Sequence, residues 1–291
     1  MKEKWMIIAA FAAMYIIWGS TYLANKFAIE DIPPFLMGGA RFFVAGVLLF
    51  AFEYWRSPVN PTRQQWLNSI FLGLLFIVFG NGFVVWGLQY VDSGLTALLM
   101  AFGPLMVVLL VWIVQKKRPT PKQIIGTLLG LAGMGILVEQ PQFTATSETV
   151  FALFLMGIAI ITWAYGSIMV ARLRLPDAKG MGTAIQMGVG GAIMVLYSFL
   201  SGEFRVFSFA ELSAKSFYSW LFLVVFGSII AFSSFNYLLH KVSPDKVSTS
   251  TYVNPIIAMT LGWAIGGEAL TGQSILAAGV LLTGVVFITM R

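Results

Sequence analysis

Ten stretches of this chain, each on the order of 20 residues and dominated by apolar side chains, follow one another with almost no interruption. An α-helix rises about 1.5 Å per residue, so roughly 20 apolar residues cross the ~30 Å hydrocarbon layer of a bilayer. The stretches are about 5–28, 34–54, 66–90, 93–115, 122–139, 149–171, 179–201, 214–239, 247–266 and 273–290. Between them lie short segments marked by Pro, Gly, Ser or charge, such as "RSPVNPTR", "QKKRPTPK", "RLRLPDAKG" and "KVSPDK". None of these gaps is long enough for a soluble domain. Lipid offers the backbone no hydrogen-bond partners, so apolar runs of this length are read as helices. The expected fold class is an all-α integral membrane protein with ten transmembrane helices. Composition agrees: 58% of the residues are hydrophobic and 10% charged, and mean hydropathy is +0.86, against about 25% charged residues in soluble domains. The first stretch is too long for a signal-peptide core and a second follows at once, so it is read as a retained span.

The charges sort by side. With the N-terminus placed in the cytoplasm and the spans alternating, the inside segments hold Lys2, Lys4, Arg56, Arg63, Lys116, Lys117, Arg118, Lys122, Arg172, Arg174, Lys179, Lys241, Lys246 and Arg291. The outside segments hold only Arg205 and Lys215, and are acidic instead, with Glu30, Asp31, Asp92, Glu139, Glu148, Glu203, Glu211 and Glu268. This positive-inside bias fixes the expected orientation, with both termini cytoplasmic. It also explains the net charge of +6. The basic residues are topological, so nucleic acid is not an expected partner; the lipid bilayer is.

The chain also resembles itself. At an offset of 151 positions, Pro104 meets Pro255, Trp112 meets Trp263, Thr120 meets Thr271 and Gly133 meets Gly284. "FGN" (Phe79–Asn81) resembles "FGS" (Phe226–Ser228), and Trp18 and Trp163 hold matching places in the first and sixth spans. Two five-helix repeats are expected, 1–140 and 148–291. Five is odd, so the second repeat enters the membrane from the opposite side. Inverted repeats of this kind build alternating-access carriers with a site near the midplane; a duplicated scaffold without transport is the other reading. Pro104 and Pro255 fall near mid-depth and are expected to kink their helices, freeing the carbonyls of Met100 and Thr251. Those carbonyls need a partner, whether neighbouring helices, water or a substrate.

The segments "WGSTYLANKFAIEDIPPFLMGGARF", "GNGFVVWGLQYVDSGLTALLMAFGPL", "WAYGSIMVARLRLP", "FGSIIAFSSFNYLL", "VSPDKVSTSTYVNPIIA" and "GWAIGGEAL" together resemble the EamA family of the drug/metabolite transporter superfamily, and within it the YedA-like exporters. The resemblance covers nearly the whole chain. It implies a multi-pass, inner-membrane carrier of ten helices in two inverted repeats, which exports amino acids or other small metabolites.

Two groups of residues are candidates for the work. Lys26 lies near the outer end of span one, and Arg41 about 10 Å below the outer end of span two. Both can be read as snorkelling to the outer headgroups, or as a vestibule that attracts a substrate carboxylate or gates by pairing with Glu30 or Asp31. The second group is a mid-depth polar and aromatic set: Trp18, Ser20 and Thr21; Asn81 and Trp86; Trp163, Tyr165 and Ser167; Ser233, Ser234 and Asn236; and Ser250, Tyr252 and Asn254. Mostly apolar walls with a few placed polar groups suit a small amphipathic substrate. Small polar residues also glue membrane helices together, and aromatics also mark interfaces.

Other functions find little support. The chain has no cysteine and one histidine, His240, so thiolate sites are excluded and no metal, cofactor or catalytic constellation is expected. No carboxylate falls at mid-depth: Glu53, Asp92 and Glu268 lie near helix ends, and His240 at the cytoplasmic end of span eight. Facilitated transport, exchange or proton coupling through an interfacial group is therefore expected, rather than a buried acid relay. A channel, or a scaffold or sensor, is the alternative to a carrier.

Overall fold

The computed structural model describes residues 2–58, 60–116, 118–138, 146–176, 180–242, 247 and 250–289. Lys117, Glu139, Lys179, Lys246 and Arg291, which enter the charge pattern, lie outside the described residues, as do the side chains of Lys2 and Tyr252. All regular structure among the described residues is helical. In chain order the elements are α1 (Lys2–Ala28), α2 (Pro34–Arg56), α3 (Arg63–Gly87), α4 (Ser93–Met100 and Gly103–Gln115), α5 (Pro121–Val138), α6 (Ser147–Val170), α7 (Met181–Ser201), α8 (Ala214–Lys241), α9 (Ser250–Ala264) and α10 (Gly272–Thr289). A short helix (Glu203–Val206) and a 3-10 turn (Phe209–Glu211) link α7 to α8. Where the sequence leads to ten spans, seven helices among the described residues are long and apolar enough to cross a membrane: α1, α2, α3, α4, α6, α7 and α8.

Local chemistry sets the helix ends. Pro34 opens α2, where its missing N–H would be unpaired in any case. Thr62 and Gln65 form a reciprocal capping box at the start of α3. Thr146 and Ser213 cap α6 and α8 through their hydroxyls. Gly202, at φ +87°, closes α7 in the left-handed region that glycine adopts without steric penalty.

Two helices carry π-helical turns, α3 over Leu74–Asn81 and α8 over Leu223–Phe232. A π turn takes up extra residues and loosens the backbone hydrogen bonding. In α3 the Asn81 side-chain amide donates to the Phe76 carbonyl at 3.2 Å. In α8 the Asn236 amide donates to the Phe232 carbonyl at 3.2 Å.

Pro104 acts differently from the expectation. It does not kink a continuous helix. The first part of α4 stops at Met100, Ala101 and Phe102 form a turn, and Pro104 sits in the first turn of the restarted helix. There its missing N–H removes no helical bond. Pro255 does lie inside a helix, α9.

Contacts sort the loops into two ends. At one end Lys241 pairs with Glu3, and the Asn68 amide donates to the Arg174 carbonyl at 2.9 Å. Lys4, Arg56, Arg63, Arg172 and Arg174 belong to these segments, so this is the basic end. At the other end Glu203 accepts the backbone N–H groups of Phe35 and Leu36 at the start of α2, Asp31 accepts that of Ser213, and Lys26 meets Asp92 and Glu268. This is the acidic end.

Helix α2 packs along α7, and α5 along α10. Small residues permit it: a Cβ on Gly39 would stand 2.7 Å from the Val195 backbone nitrogen. Helix α1 packs on α8 and α9, while α6 packs on α3 and α4. The largest buried cluster, with Met14, Phe42, Phe76, Met187 and Phe232, joins α1, α2 and α3 to α7 and α8.

Candidate functional site

A cavity of about 170 Å³ lies between these helix groups, walled by α1, α2, α3, α4, α6, α8 and α9. Helical spacing explains the α1 wall. Trp18, Thr21, Tyr22 and Asn25 stand three, four and seven residues apart, which places them on one stripe. Asn81 and Val84 of α3, Met100 and Pro104 of α4, Trp163 and Ser167 of α6, and Ser250, Asn254 and Pro255 of α9 complete most of the lining. The aromatic side is a set of rings in mutual contact. The Trp18 and Trp163 rings meet edge-on with centroids 5.7 Å apart, and Phe235 lies 5.2 Å from Trp18 and 5.4 Å from Trp163.

Several candidates from the sequence therefore line one space: Trp18, Thr21, Arg41, Asn81, Trp163, Ser167, Ser250, Asn254 and the two prolines. Others stand elsewhere. Ser20 donates to its own helix at the Ile17 carbonyl, 2.7 Å away. Trp86 packs edge-on against Phe151 at 5.5 Å, and Tyr165 against Phe71 at 6.4 Å. Ser233, Ser234 and Asn236 are outside the lining, and Asn236 is committed to the π turn of α8. The reason is rotation. Each residue turns about 100° around a helix, so Ser20 and Tyr165, two residues beyond Trp18 and Trp163, face away from what the tryptophans face. The Tyr252 side chain lies outside the described residues. With its side-chain amide turned over, Asn254 donates to the carbonyls of Ser250 and Tyr15, each at 3.2 Å; in the opposite orientation its oxygen faces only acceptors.

Arg41 is not a snorkelling side chain. It is 2% exposed and lines the cavity. Its Nε donates to Ser228 Oγ at 2.8 Å and its Nη1 to Asn25 Oδ1 at 3.0 Å. Its guanidinium carbon stands 4.5 Å from the centroid of the Phe42 ring. Gly227 makes room: a Cβ there would come within 2.9 Å of Arg41 Nη2. Asn25, Ser228 and Gly227 were not among the sequence candidates. Asn25 could have been found as the next step on the Trp18–Thr21 stripe; Ser228 and Gly227 depend on a contact between distant spans.

Lys26 does not line the cavity, and its partners are not Glu30 or Asp31. Glu30 pairs with Lys215, and Asp31 accepts the Ser213 backbone N–H at 3.0 Å. Lys26 Nζ instead reaches Asp92 Oδ1 at 2.5 Å and Glu268 Oε1 at 3.0 Å. Glu268 also accepts the Ser93 N–H at 2.8 Å and the Gly94 N–H at 3.1 Å, so its charge meets the positive end of the α4 helix. Burial alone would push the Glu268 carboxyl up. The Ser93 and Gly94 donors and the Lys26 ammonium outweigh it and hold the group below the usual carboxylate range. Three elements distant in sequence are thereby tied at the acidic end: α1, the start of α4 and the loop after α9.

No group of three or more His, Cys, Asp or Glu that could hold a metal ion occurs among the described residues. The cavity lining there contains no Asp or Glu. The arrangement can enclose and orient a small molecule.

Comparison with known proteins agrees with a transport role. The profile of the EamA-like transporter family matches residues 4–138 and again residues 150–290. YedA, an uncharacterized inner membrane transporter of Escherichia coli strain K12, is 36% identical over 285 residues, covering 98% of this chain and 90% of that protein. YoaV, an uncharacterized transporter of Bacillus subtilis strain 168, is 24% identical over 96% of this chain and 95% of its own. A solved crystal structure aligns with a TM-score of 0.70 over 97% of this chain and 95% of that one, at 19% identity, which speaks for the fold. With seven membrane-length helices among the described residues, two family matches and a relative this similar along nearly its whole length, the chain belongs to the EamA-like transporter family and is a multi-pass membrane transporter.

Proposed function

We propose that this protein is an inner-membrane carrier that exports amino acids or related small metabolites by alternating access, through the cavity between its two halves. The observation that carries the reading is a cavity whose walls come from both halves of the chain. Helices α1 to α4 and helices α6, α8 and α9 all contribute walls, while the Lys26–Asp92–Glu268 cluster bridges the acidic end. Inverted-repeat carriers hold their substrate between the two halves, whereas a channel needs a filter along a path open to both sides.

Three features support two inverted five-helix repeats, 1–140 and 148–291. The family profile matches twice. The π turns fall in the third and eighth helices, over the similar "FGN" and "FGS" segments. Exchanging the halves also maps the packing onto itself: α1 on α8 and α9 becomes α6 on α3 and α4. The positive-inside bias puts the basic end, with both termini, in the cytoplasm. Interacting partners in this reading are the bilayer and a small-molecule substrate.

The test is release from proteoliposomes loaded with a mixed pool of amino acids and metabolites, followed by mass spectrometry. Selective, saturable loss of one chemical class, with counterflow, is the expected result. Vesicles that lose no solute faster than protein-free controls would rule the carrier out.

A further inference from the structure

We propose that the cargo is a net anion: a small monocarboxylate with an apolar or aromatic body and no ammonium group, seated with its carboxylate on Arg41. This rests on the transport reading above and narrows its cargo, from amino acids and related metabolites, to the metabolites among them that carry a carboxylate and no ammonium.

The argument begins with charge. Arg41 is a permanent cation, 2% exposed, in the wall of the cavity. Its partners Ser228 and Asn25 are both neutral. Among the described residues no carboxylate forms an ion pair with it, and none lines the cavity. Burying an unpaired guanidinium is costly. A ligand that brings one negative charge relieves that cost; a zwitterion relieves it only by burying a new unpaired ammonium.

Hydrogen-bond accounting points the same way. A guanidinium has five N–H donors in a planar fork. Nε and Nη1 donate to protein, whereas Nη2 donates to no described residue. Asn25 and Ser228 hold two edges of the fork, and the close approach of Gly227 fixes it further, since a Cβ there would stand 2.9 Å from Nη2. A fork fixed in this way is suited to a carboxylate, which it can bind through parallel N–H bonds.

The rest of the cavity sets the body of the ligand. The same cavity is also lined by Trp18, Trp163 and Phe235, whose rings contact one another. Such a wall accepts a ring or a short chain, and no Asp or Glu among the described lining residues offers an ammonium a counter-charge.

The experiment uses purified full-length protein and reads ligand-induced thermal stabilisation, which follows the ratio of concentration to Kd. The probes are 3-phenylpropanoate, benzoate and hexanoate, set against 3-phenylpropanamide (neutral), phenylalanine (zwitterion) and 2-phenylethylamine (cation). The expected result is stabilisation by carboxylates alone. Arg41→Gln should weaken 3-phenylpropanoate binding by roughly 30-fold or more. Because that variant alters a buried group, Asn25→Ala and Ser228→Ala serve as milder probes. They keep the charge but release the fork, and should weaken carboxylate binding while leaving the amide's behaviour unchanged. The proposal is overturned if phenylalanine or the amide binds as tightly as 3-phenylpropanoate, if no carboxylate binds, or if a folded Arg41→Gln keeps the preference. Efflux of labelled 3-phenylpropanoate from proteoliposomes separates this from the transport reading. Arg41-dependent binding without efflux refutes the carrier and keeps the anion site. Saturable efflux of the amide or of phenylalanine in preference to the carboxylate refutes the anion site and keeps the carrier.

Discussion

Glu268→Gln is expected to unlock the acidic end of the molecule. The carboxylate accepts two backbone N–H bonds, from Ser93 at 2.8 Å and Gly94 at 3.1 Å, and a third bond from Lys26 at 3.0 Å. Its side chain is 7% exposed, so solvent screening is modest. Hydrogen bonds to a charged group are each worth about 1.5–3 kcal/mol net. Glutamine keeps one acceptor oxygen but turns an NH₂ toward the other donors, so the loss is about 2 kcal/mol, or roughly 30-fold in the balance between closed and open acidic ends. The assay uses a property of the sequence: the chain has no cysteine, so a thiol at Val84, on the cavity wall, is a unique label site. A membrane-impermeant thiol reagent applied at the acidic end should modify Val84→Cys about 30 times faster when Glu268→Gln is also present. Equal rates with and without Glu268→Gln, in protein that folds normally, would refute the view that this cluster holds the end shut.

The same group gives a pH dependence with a definite sign. Its folded-state pKa lies below the ordinary glutamate value. The stabilisation is therefore fully present above the unfolded value, about 4.3, and is lost as pH falls through the lower folded value. Val84→Cys labelling should stay slow from pH 8 to about 5 and accelerate only below the usual carboxylate range. Gly39→Leu should destabilise the protein by about 1–3 kcal/mol or more, because the added side chain meets the Val195 backbone; thermal unfolding in detergent measures it. Asn81→Ala leaves the Phe76 carbonyl without its side-chain donor and should cost about 1 kcal/mol, seen as a lower Tm. With no Asp or Glu among the described cavity residues, export down a fixed substrate gradient should proceed at the same rate when an uncoupler collapses the pH gradient; abolished transport would count against uncoupled movement.

Much of this architecture can be read from the sequence because membranes impose simple rules. Apolar length places the helices, and the helices found at Pro34–Arg56, Ser147–Val170 and Met181–Ser201 lie close to the stretches read at 34–54, 149–171 and 179–201. The lining was harder. Trp18 and Trp163 were visible as matching residues, and the structure sets their rings edge to edge. Ser20, Trp86, Tyr165, Ser234 and Asn236 share the same depth and chemistry as residues that do line the cavity. Only the rotation of each helix separates them, and a mostly apolar helix has too weak a polar stripe to reveal its rotation. Lys26 and Arg41 show a second limit. Their nearest acids in sequence are Glu30 and Asp31, yet Lys26 binds Asp92 and Glu268, and Arg41 binds Asn25 and Ser228. Partners that come from other spans are a property of packing, which no local pattern encodes.

The π turns of α3 and α8 carry a consequence for insertions and deletions. In an ordinary helix, removing one residue turns everything downstream by about 100° and carries it about 1.5 Å along the axis. A π turn already holds surplus chain. Deleting one residue within Leu74–Asn81 can be absorbed by tightening the turn, so Val84 and the helix start at Arg63 keep their bearings. The same deletion within Arg63–Gly73 must swing one flank relative to the other. The third and eighth helices thus each contain a length reserve beside the cavity wall. It is a place where evolution can adjust the shape of the chamber by single residues without re-aiming the rest of the helix.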